Sequence, residues 1–382
     1  MQKPKLIRIT TIPLSLEKLL EGQLGFMSKH FEVVAVSAER ERLEAYGRRE
    51  GVRTFFLPLT RKITPFQDLR AVWRLYRFLR KEKPLIVHTH TPKAGLVGMM
   101  AAYFARVPHR YHTVAGLPLM EARGLKRAIL NSAEKSTYGF ATRVYPNSKG
   151  LSDFIIAEKF AAPNKLKVIA NGSSNGIDTT YFSRSHYTES ELLNTRRELG
   201  IKEDHFVFLF VGRIVKDKGI NELVAAFLRL HAERPNCILL LVGPYENDLD
   251  PISTATEQAI QTNEHIITTG YRPDVRPYFA ISDCLVFPSY REGFPNVVLQ
   301  AGAMELPALV SDINGCNEIV EHEENGLIFP VKNENAIYEA MDRLCADEAL
   351  RLRIVRRSRP LTTELFERKE VWQALLREYP IP

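Results

Sequence analysis

Residues 206–232 read FVFLFVGRIVKDKGINELVAAFLRLHA. The six apolar residues at 206–211 predict a short strand, and apolar spacing of three and four over 220–232 predicts a helix. Between them, 212–219 has glycine at both ends and four charged residues, the composition of a strand-to-helix loop. Strand, loop and helix in that order form the repeating unit of a parallel α/β sheet.

The same alternation runs outward to both ends. Upstream, strand-like runs lie at 6–11, 32–37, 54–57, 85–88, 109–113 and 143–146, with helical patterns at 66–81, 93–105, 125–138 and 149–158. Downstream, strands are expected at 238–242, 266–269, 284–287, 308–311 and 326–329, and helices at 295–304 and 334–345. The turn-rich hexapeptide NGSSNG at 171–176 follows a strand-like 166–170 and reads as a hinge. The expected fold class is α/β, two doubly wound Rossmann-like domains facing a cleft. Their expected bounds are 1–170 and 171–360, with 361–382 as a C-terminal helix packing back toward the first. Sheets of this kind bind ligands at the carboxyl ends of their strands.

A length of 382 residues suits two domains. With 21 glycines and 22 prolines, collagenous and disordered classes are excluded. Cys237, Cys284, Cys316 and Cys345 are too widely spaced for zinc or a disulfide framework, so a reducing cytosol is expected. The softest stretch, AGLVGMMAAYFA at 94–105, is too short to span a bilayer, and the N-terminus lacks the apolar core of a signal peptide.

The net charge of +7 conceals a split. Residues 1–170 hold 30 Lys and Arg against 13 Asp and Glu, a balance of +17, while 171–382 hold 22 against 32, a balance of −10. Such asymmetry suggests that one half meets an anionic partner. No nucleic-acid recognition motif accompanies it, and the acidic second half argues against that partner. No G-x-G-x-x-G follows the first strand, which excludes a dinucleotide-binding dehydrogenase.

Two loops carry chemistry. After Gly212, Arg213 and Lys218 precede a helix, where a forked donor, a point charge and free N–H groups suit a diphosphate; an ordinary charged loop reads the same way. The segment FPSYREGFPNVVLQ at 287–300 also follows a strand and opens a helix. Glu292 beside Gly293 offers a carboxylate to sugar hydroxyls, and Gln300 can both donate and accept. The plain alternative is a capped helix with an exposed glutamate.

Together, G-R-x(4)-K-G and the later E-G-F-P-N resemble the retaining glycosyltransferases of family four, which have the GT-B fold. The resemblance includes PNS at 146–148, NGSSNGID at 171–178 and GYRPDV at 270–275, and extends the length of the chain. VHTHTPKAG at 87–95 and SLEKLLEGQ at 15–23 resemble bacterial capsule, O-antigen and lipid-linked glycan assembly enzymes. The resemblance implies transfer of a sugar from a nucleotide-sugar donor, a UDP-hexose or UDP-N-acetylhexosamine, to a polyprenyl-diphosphate-linked acceptor. It implies that Arg213, Lys218 and Glu292 are catalytic and that Gly212, Gly293, Phe294, Pro295, Asn296 and Gln300 bind the donor. Gly270, Tyr271 and Arg272 would lie against the base, and Gln23, His88, His90, Lys93 and His112 are candidates for the acceptor side or cleft. Two departures stand out: Gln300 where many members have glutamate, and Ala115 where many place a histidine. His112 points into the cleft or is buried by strand alternation.

No metal or other cofactor is expected. His88 and His90 share one side of a strand end without a third ligand, and Asp248 and Asp250 beside Pro251 read as a turn. Retention without an evident nucleophile leaves the departing diphosphate to Arg213, Lys218 and a helix N-terminus. A same-fold epimerase and a degenerate nucleotide-sugar-binding protein are the alternatives. On 66–81, Arg70, Arg74, Arg77 and Lys81 form a basic stripe beside an apolar one of Leu69, Val72, Trp73, Tyr76 and Leu79. The apolar stripe is expected to pack on its own sheet. The basic one is expected to meet an anionic membrane, which places the enzyme peripherally on the inner face of the cytoplasmic membrane.

Overall fold

A computed structural model describes residues 3–60, 62, 64–117, 119, 123–246 and 250–380. The chain divides into two units, Met1–Gly176 with Arg368–Pro382, and Ile177–Glu367. The division thus falls at 176/177 and 367/368, where the sequence suggested 170/171 and 360/361.

The first unit is built on β1 (Lys5–Ile9), β2 (Glu32–Ser37), β3 (Arg53–Phe56), β4 (Ile86–His90), β5 (His109–Val114) and β6 (Arg143–Pro146). They form one parallel sheet in the order β3-β2-β1-β4-β5-β6. The second unit repeats the plan with β7 (Phe206–Val211), β8 (Cys237–Val242), β9 (Ile266–Gly270), β10 (Cys284–Phe287), β11 (Ala308–Ser311) and β12 (Gly326–Phe329). Its order is β12-β11-β10-β7-β8-β9, also parallel. In both sheets the strand order reverses between the first and fourth strands, leaving a crevice at their carboxyl ends. The central strands are buried on both faces because helices cover both, which explains the unbroken apolar runs of β7, β8 and β10.

All twelve strands stand where the apolar runs placed them, with ends moved by one or two residues. The strand-like 166–170 makes only a bridge from Leu166 to Val144, because Ala170 turns to φ 49° and ends the extended chain. The expected hinge is anchored. Asn175, 4% exposed, accepts at Oδ1 from Gln23 Nε2 (3.0 Å) and Trp372 Nε1 (2.7 Å) and donates from Nδ2 to the Glu21 carbonyl (3.0 Å). Residues 361–382 are not one helix. Glu348–Phe366 belongs to the second unit and Arg368–Glu378 to the first, broken at Glu367, which pairs with Ile177 as a parallel bridge. Leu375, Leu376 and Tyr379 then complete a core with Leu6, Phe31 and Val33.

Helix Pro65–Glu82 corrects the expectation for its apolar stripe. Ala71, Leu75 and Leu79, at i, i+4 and i+8, are the buried face. Val72 and Tyr76 are half-buried at its edge, whereas Phe66 (83%), Leu69 (63%) and Trp73 (59%) stand in solvent. Ala71 lets the helix lie close to the sheet and turns Leu69 and Trp73 outward. Helix Gly124–Phe140 also exposes Leu125 and Ile129, and both helices pack on Pro92–Phe104.

Two buried groups of the first unit give stability opposite pH dependences. Burial depresses His112 to about 3, so below its ordinary value of 6.5 only the unfolded chain takes up its proton. This group should therefore remove about 2 kcal/mol of stability by pH 5. Burial raises the Glu134 carboxyl to about 6, against the nearby Tyr138 hydroxyl, which lowers it. Its penalty is present above pH 6 and fades toward 4.5. Glu134→Gln should stabilise the protein by about 2 kcal/mol at pH 8 and by little at pH 4.5. Urea melts of wild type and variant across pH 4.5–8 measure both; an equal Glu134→Gln effect at the two ends would contradict the assignment.

Candidate active site

The crevice of the second unit lies between the loops that leave β7 and β10. The β7 loop passes through Gly212 and Arg213, makes a helical turn at Lys216–Lys218, and enters helix Ile220–Glu233 through Gly219. Gly219 has φ +71°, and a Cβ there would sit 2.2 Å from the Pro288 carbonyl oxygen of the β10 loop. Only glycine permits that approach. The Tyr290 N–H closes it, donating to the Asp217 carbonyl at 2.9 Å.

The approach brings Lys218 and Glu292 together, Nζ donating to Oε1 with both side chains mostly buried. Ser289, fully buried, donates to Glu292 Oε1 at 3.1 Å and lies 3.5 Å from Lys218 Nζ. From the loop after β11, Asn314 Nδ2 donates to the carbonyls of Glu292 (3.1 Å) and Gly293 (2.8 Å). Phe294 packs its ring on Phe366 at 5.5 Å, and Pro295 caps helix Asn296–Ala303, one residue before its first turn. Gln300 lies half-buried on that helix, and no side-chain hydrogen bond of it occurs among the described residues.

Arg213 Nη1 donates to Glu246 Oε2 at 2.6 Å. Asp248 lies outside the described residues. Asp250 holds the β7 loop, its Oδ2 accepting the Asp217 N–H at 2.6 Å and its carbonyl the Lys216 N–H at 3.1 Å. Gly270 ends β9, the edge strand on the β8 side of β7, and Tyr271 and Arg272 follow it exposed to solvent.

In the first unit the sequence candidates converge on a residue that had registered only as charge. Arg8 is fully buried, and no carboxylate pairs with it among the described residues. Its Nη2 donates to Gln23 Oε1 (2.5 Å) and His90 Nε2 (2.8 Å), and its Nη1 to the Tyr379 hydroxyl (2.5 Å). Arginine only donates, so His90 Nε2 must accept, which assigns a neutral ring. The Tyr379 hydroxyl, itself accepting from Arg8, donates to His88 Nδ1 (2.6 Å), and His88 Nε2 donates to Thr113 Oγ1 (2.8 Å). Burial first and the Arg8 charge second hold both histidines well below their usual range. Gln23, His88 and His90 are thus interior parts of one network. His112 is buried against helix Pro92–Phe104 with Nδ1 2.7 Å from Thr89 Oγ1. Lys93, which opens that helix, pairs with Asp68 at 2.5 Å.

The second unit therefore presents two cations on one loop, a carboxylate from the next, and the N-terminus of a 14-residue helix. Such a set can hold a diphosphate and the hydroxyls of a sugar. Sequence reasoning gave no role to Ser289, Asn314 and Glu246, and read Asp250 only as part of a turn. The Asn314-Gly315 dipeptide was a readable turn signal, and Ser289 lay inside the segment already singled out.

Comparison with known proteins identifies the family. Residues 193–360 match the family model described as glycosyl transferases group 1, and 25–172 that of a glycosyl transferase 4-like domain. The capsular polysaccharide biosynthesis glycosyltransferase CapM of Staphylococcus aureus is 32% identical over 98% of this chain and 96% of its own. A UDP-Gal:alpha-D-GlcNAc-diphosphoundecaprenol alpha-1,3-galactosyltransferase of Escherichia coli is 31% identical over 85% and 83% of the two chains. Anabaena HepE, solved in complex with UDP and glucose, superposes with a TM-score of 0.82 over 98% of each chain at 17% identity, which shows the GT-B fold. With a third of its residues shared with CapM over nearly the whole of both chains, this protein belongs to the group 1, family 4-like glycosyltransferases.

Proposed function

We propose that the enzyme transfers a hexose or N-acetylhexosamine from its UDP conjugate to a polyprenyl-diphosphate-linked acceptor, with retention, in bacterial surface polysaccharide synthesis. The observation that carries the reading is the Lys218–Glu292 pair set between the carboxyl ends of β7 and β10, with Arg213 on the same loop. The lipid-linked acceptor named for the Escherichia coli relative and the capsular role named for CapM support the acceptor class.

In this reading Arg213, Lys218 and the first turn of helix Ile220–Glu233 hold the donor diphosphate. Glu292 accepts hydroxyl protons of the donor sugar, Gln300 bonds the ribose, and Tyr271 and Arg272 lie by the base. The bond from the anomeric carbon to the diphosphate oxygen breaks while the acceptor oxygen bonds from the same face. The acceptor proton passes to a diphosphate oxygen, so charge develops where the two cations stand. No metal enters the scheme. The network around Arg8 holds His88 and His90 neutral and orients the end of β4, from which Lys93 starts the helix offered to the acceptor phosphate.

The enzyme works from the cytoplasmic face of the membrane in this proposal. No helix among the described residues is long and apolar enough to cross a bilayer. Phe66, Leu69, Trp73, Leu125 and Ile129 offer apolar anchors beside the exposed Arg70, Arg74, Arg77, Lys81 and Lys126. Docking then combines shallow insertion with attraction of about 1 kcal/mol per cation near an anionic surface.

Arg213→Ala and Lys218→Ala should each lower turnover by about 100-fold or more, the scale of one lost preorganised contact. Release of UDP coupled to lipid-linked product measures this, and near-normal turnover in both would place the donor elsewhere. Excess EDTA should leave the rate unchanged; loss restored by magnesium or manganese would overturn the metal-free scheme. The protein should co-sediment with anionic vesicles in low salt and keep part of that binding in 0.5 M salt. Leu69→Ser with Trp73→Ser should abolish the salt-resistant part, and an unchanged salt profile would rule out insertion.

A further inference from the structure

The Arg213 guanidinium stands at the end of β7, and its observed partner is the carboxylate of Glu246, 2.6 Å away. Glu246 belongs to the loop that follows β8, the strand beside β7. The two loops are tied together there: Ile214 bridges to Tyr245, and the Ile214 N–H donates to the Pro244 carbonyl at 2.8 Å. Glu246 is thus delivered to Arg213 by backbone pairing, not by the chance reach of a long side chain.

A carboxylate and a phosphate present the same thing to a guanidinium, oxygens sharing negative charge in the plane of its fork. An anion that binds at Arg213 through those donors meets Glu246 either as a rival for the N–H groups or as a like charge at close range. The two ion pairs of the site differ in this respect. Lys218 and Glu292 are 15% and 19% exposed and are held by Ser289, whereas Arg213 and Glu246 are 40% and 34% exposed. A pair so open to water is worth about 0–1 kcal/mol, weak enough for a ligand to exchange. Nothing in the proposed chemistry requires Glu246, since sugar and ribose contacts fall to Glu292 and Gln300.

We propose that Glu246 sets the affinity of the donor site, its carboxylate competing with the diphosphate of the nucleotide sugar for Arg213. The inference rests on the reading of Arg213 as a diphosphate contact. Glu246 trades places with the incoming diphosphate and returns when the nucleotide leaves, so binding is weaker and product departs sooner than the two cations alone would allow.

The test is calorimetric titration of the full-length protein with inorganic pyrophosphate, UDP and uridine. Glu246→Gln keeps the shape of the side chain and removes its charge. It should tighten pyrophosphate and UDP by about 2- to 5-fold, the span of an exposed pair, and leave uridine unaffected because uridine carries no phosphate. Glu246→Asp, which keeps the charge, should stay within 2-fold of wild type, roughly the low end of that span. In the Arg213→Ala background the gain from Glu246→Gln should vanish, as a double-mutant cycle requires of a direct rival. If Arg213→Ala weakens both anions but Glu246→Gln fails to tighten them, the clamp stands and the competition is refuted. If Glu246→Gln weakens them, the carboxylate positions Arg213 instead, and the inference is refuted with the opposite sign. If Arg213→Ala changes neither anion, the diphosphate reading itself falls.

Discussion

The proposed donor site depends on one close approach. Pro288 presents its carbonyl oxygen at the place where any side chain on residue 219 would begin. Without that contact the β7 and β10 loops would part, and with them Lys218 and Glu292. Everything placed around the pair serves to keep it. Tyr290 and Asp217 join the loops through the backbone, Asp250 steadies the turn that carries Lys218, and Asn314 fixes the carbonyls on either side of Gly293. The sheet supplies the neighbourhood, since β7 and β10 are adjacent where strand order reverses. Glycine and the side chains of Asp250 and Asn314 then supply the precision.

The first unit solves a different problem at its own reversal, between β1 and β4. A guanidinium buried without a carboxylate is costly, and the cost is reduced by spreading its Nη donors over Gln23, His90 and Tyr379, while Nε has no partner among the described residues. The arrangement makes His88 and His90 permanent acceptors toward Arg8 and Tyr379. They are therefore poor proton carriers and good rulers, holding the end of β4 and the start of the next helix at a set distance from β1. The second unit keeps its site charges in pairs, one of them open to water; the first keeps one charge locked inside.

Legibility followed the nature of each signal. The strands were readable because both faces are covered, so β7, β8 and β10 are unbroken apolar runs and most of the others are dominated by apolar residues. Polar helices such as Glu189–Glu198 escaped notice although the capping box Thr188–Glu191 announces one. On Pro65–Glu82 periodicity told which residues share a face but not which face turns inward. Small Ala71 decided that, and the larger Leu69 and Trp73 were left outside. At the site, the residues proposed to hold the donor were recognisable by type and spacing. Those that hold them were not, because Asn314 and Asp250 act through backbone atoms distant in sequence. Arg8 was hidden for a related reason: strand alternation turns it inward, and composition counts it as surface charge.

The split of the first unit has a consequence for how the protein is made. Residues 1–176 contain all six strands of its sheet, yet Leu375 and Leu376, which finish its core, and Tyr379, which accepts from Arg8, are made only after the whole second unit. The second unit is contiguous and lacks nothing once Glu367 has emerged. Synthesis therefore delivers the units in reverse order of completion, the later one whole while the earlier still awaits its closing helix. A nascent chain that has not reached residue 379 leaves Arg8 without its Tyr379 acceptor in a core still open on one side.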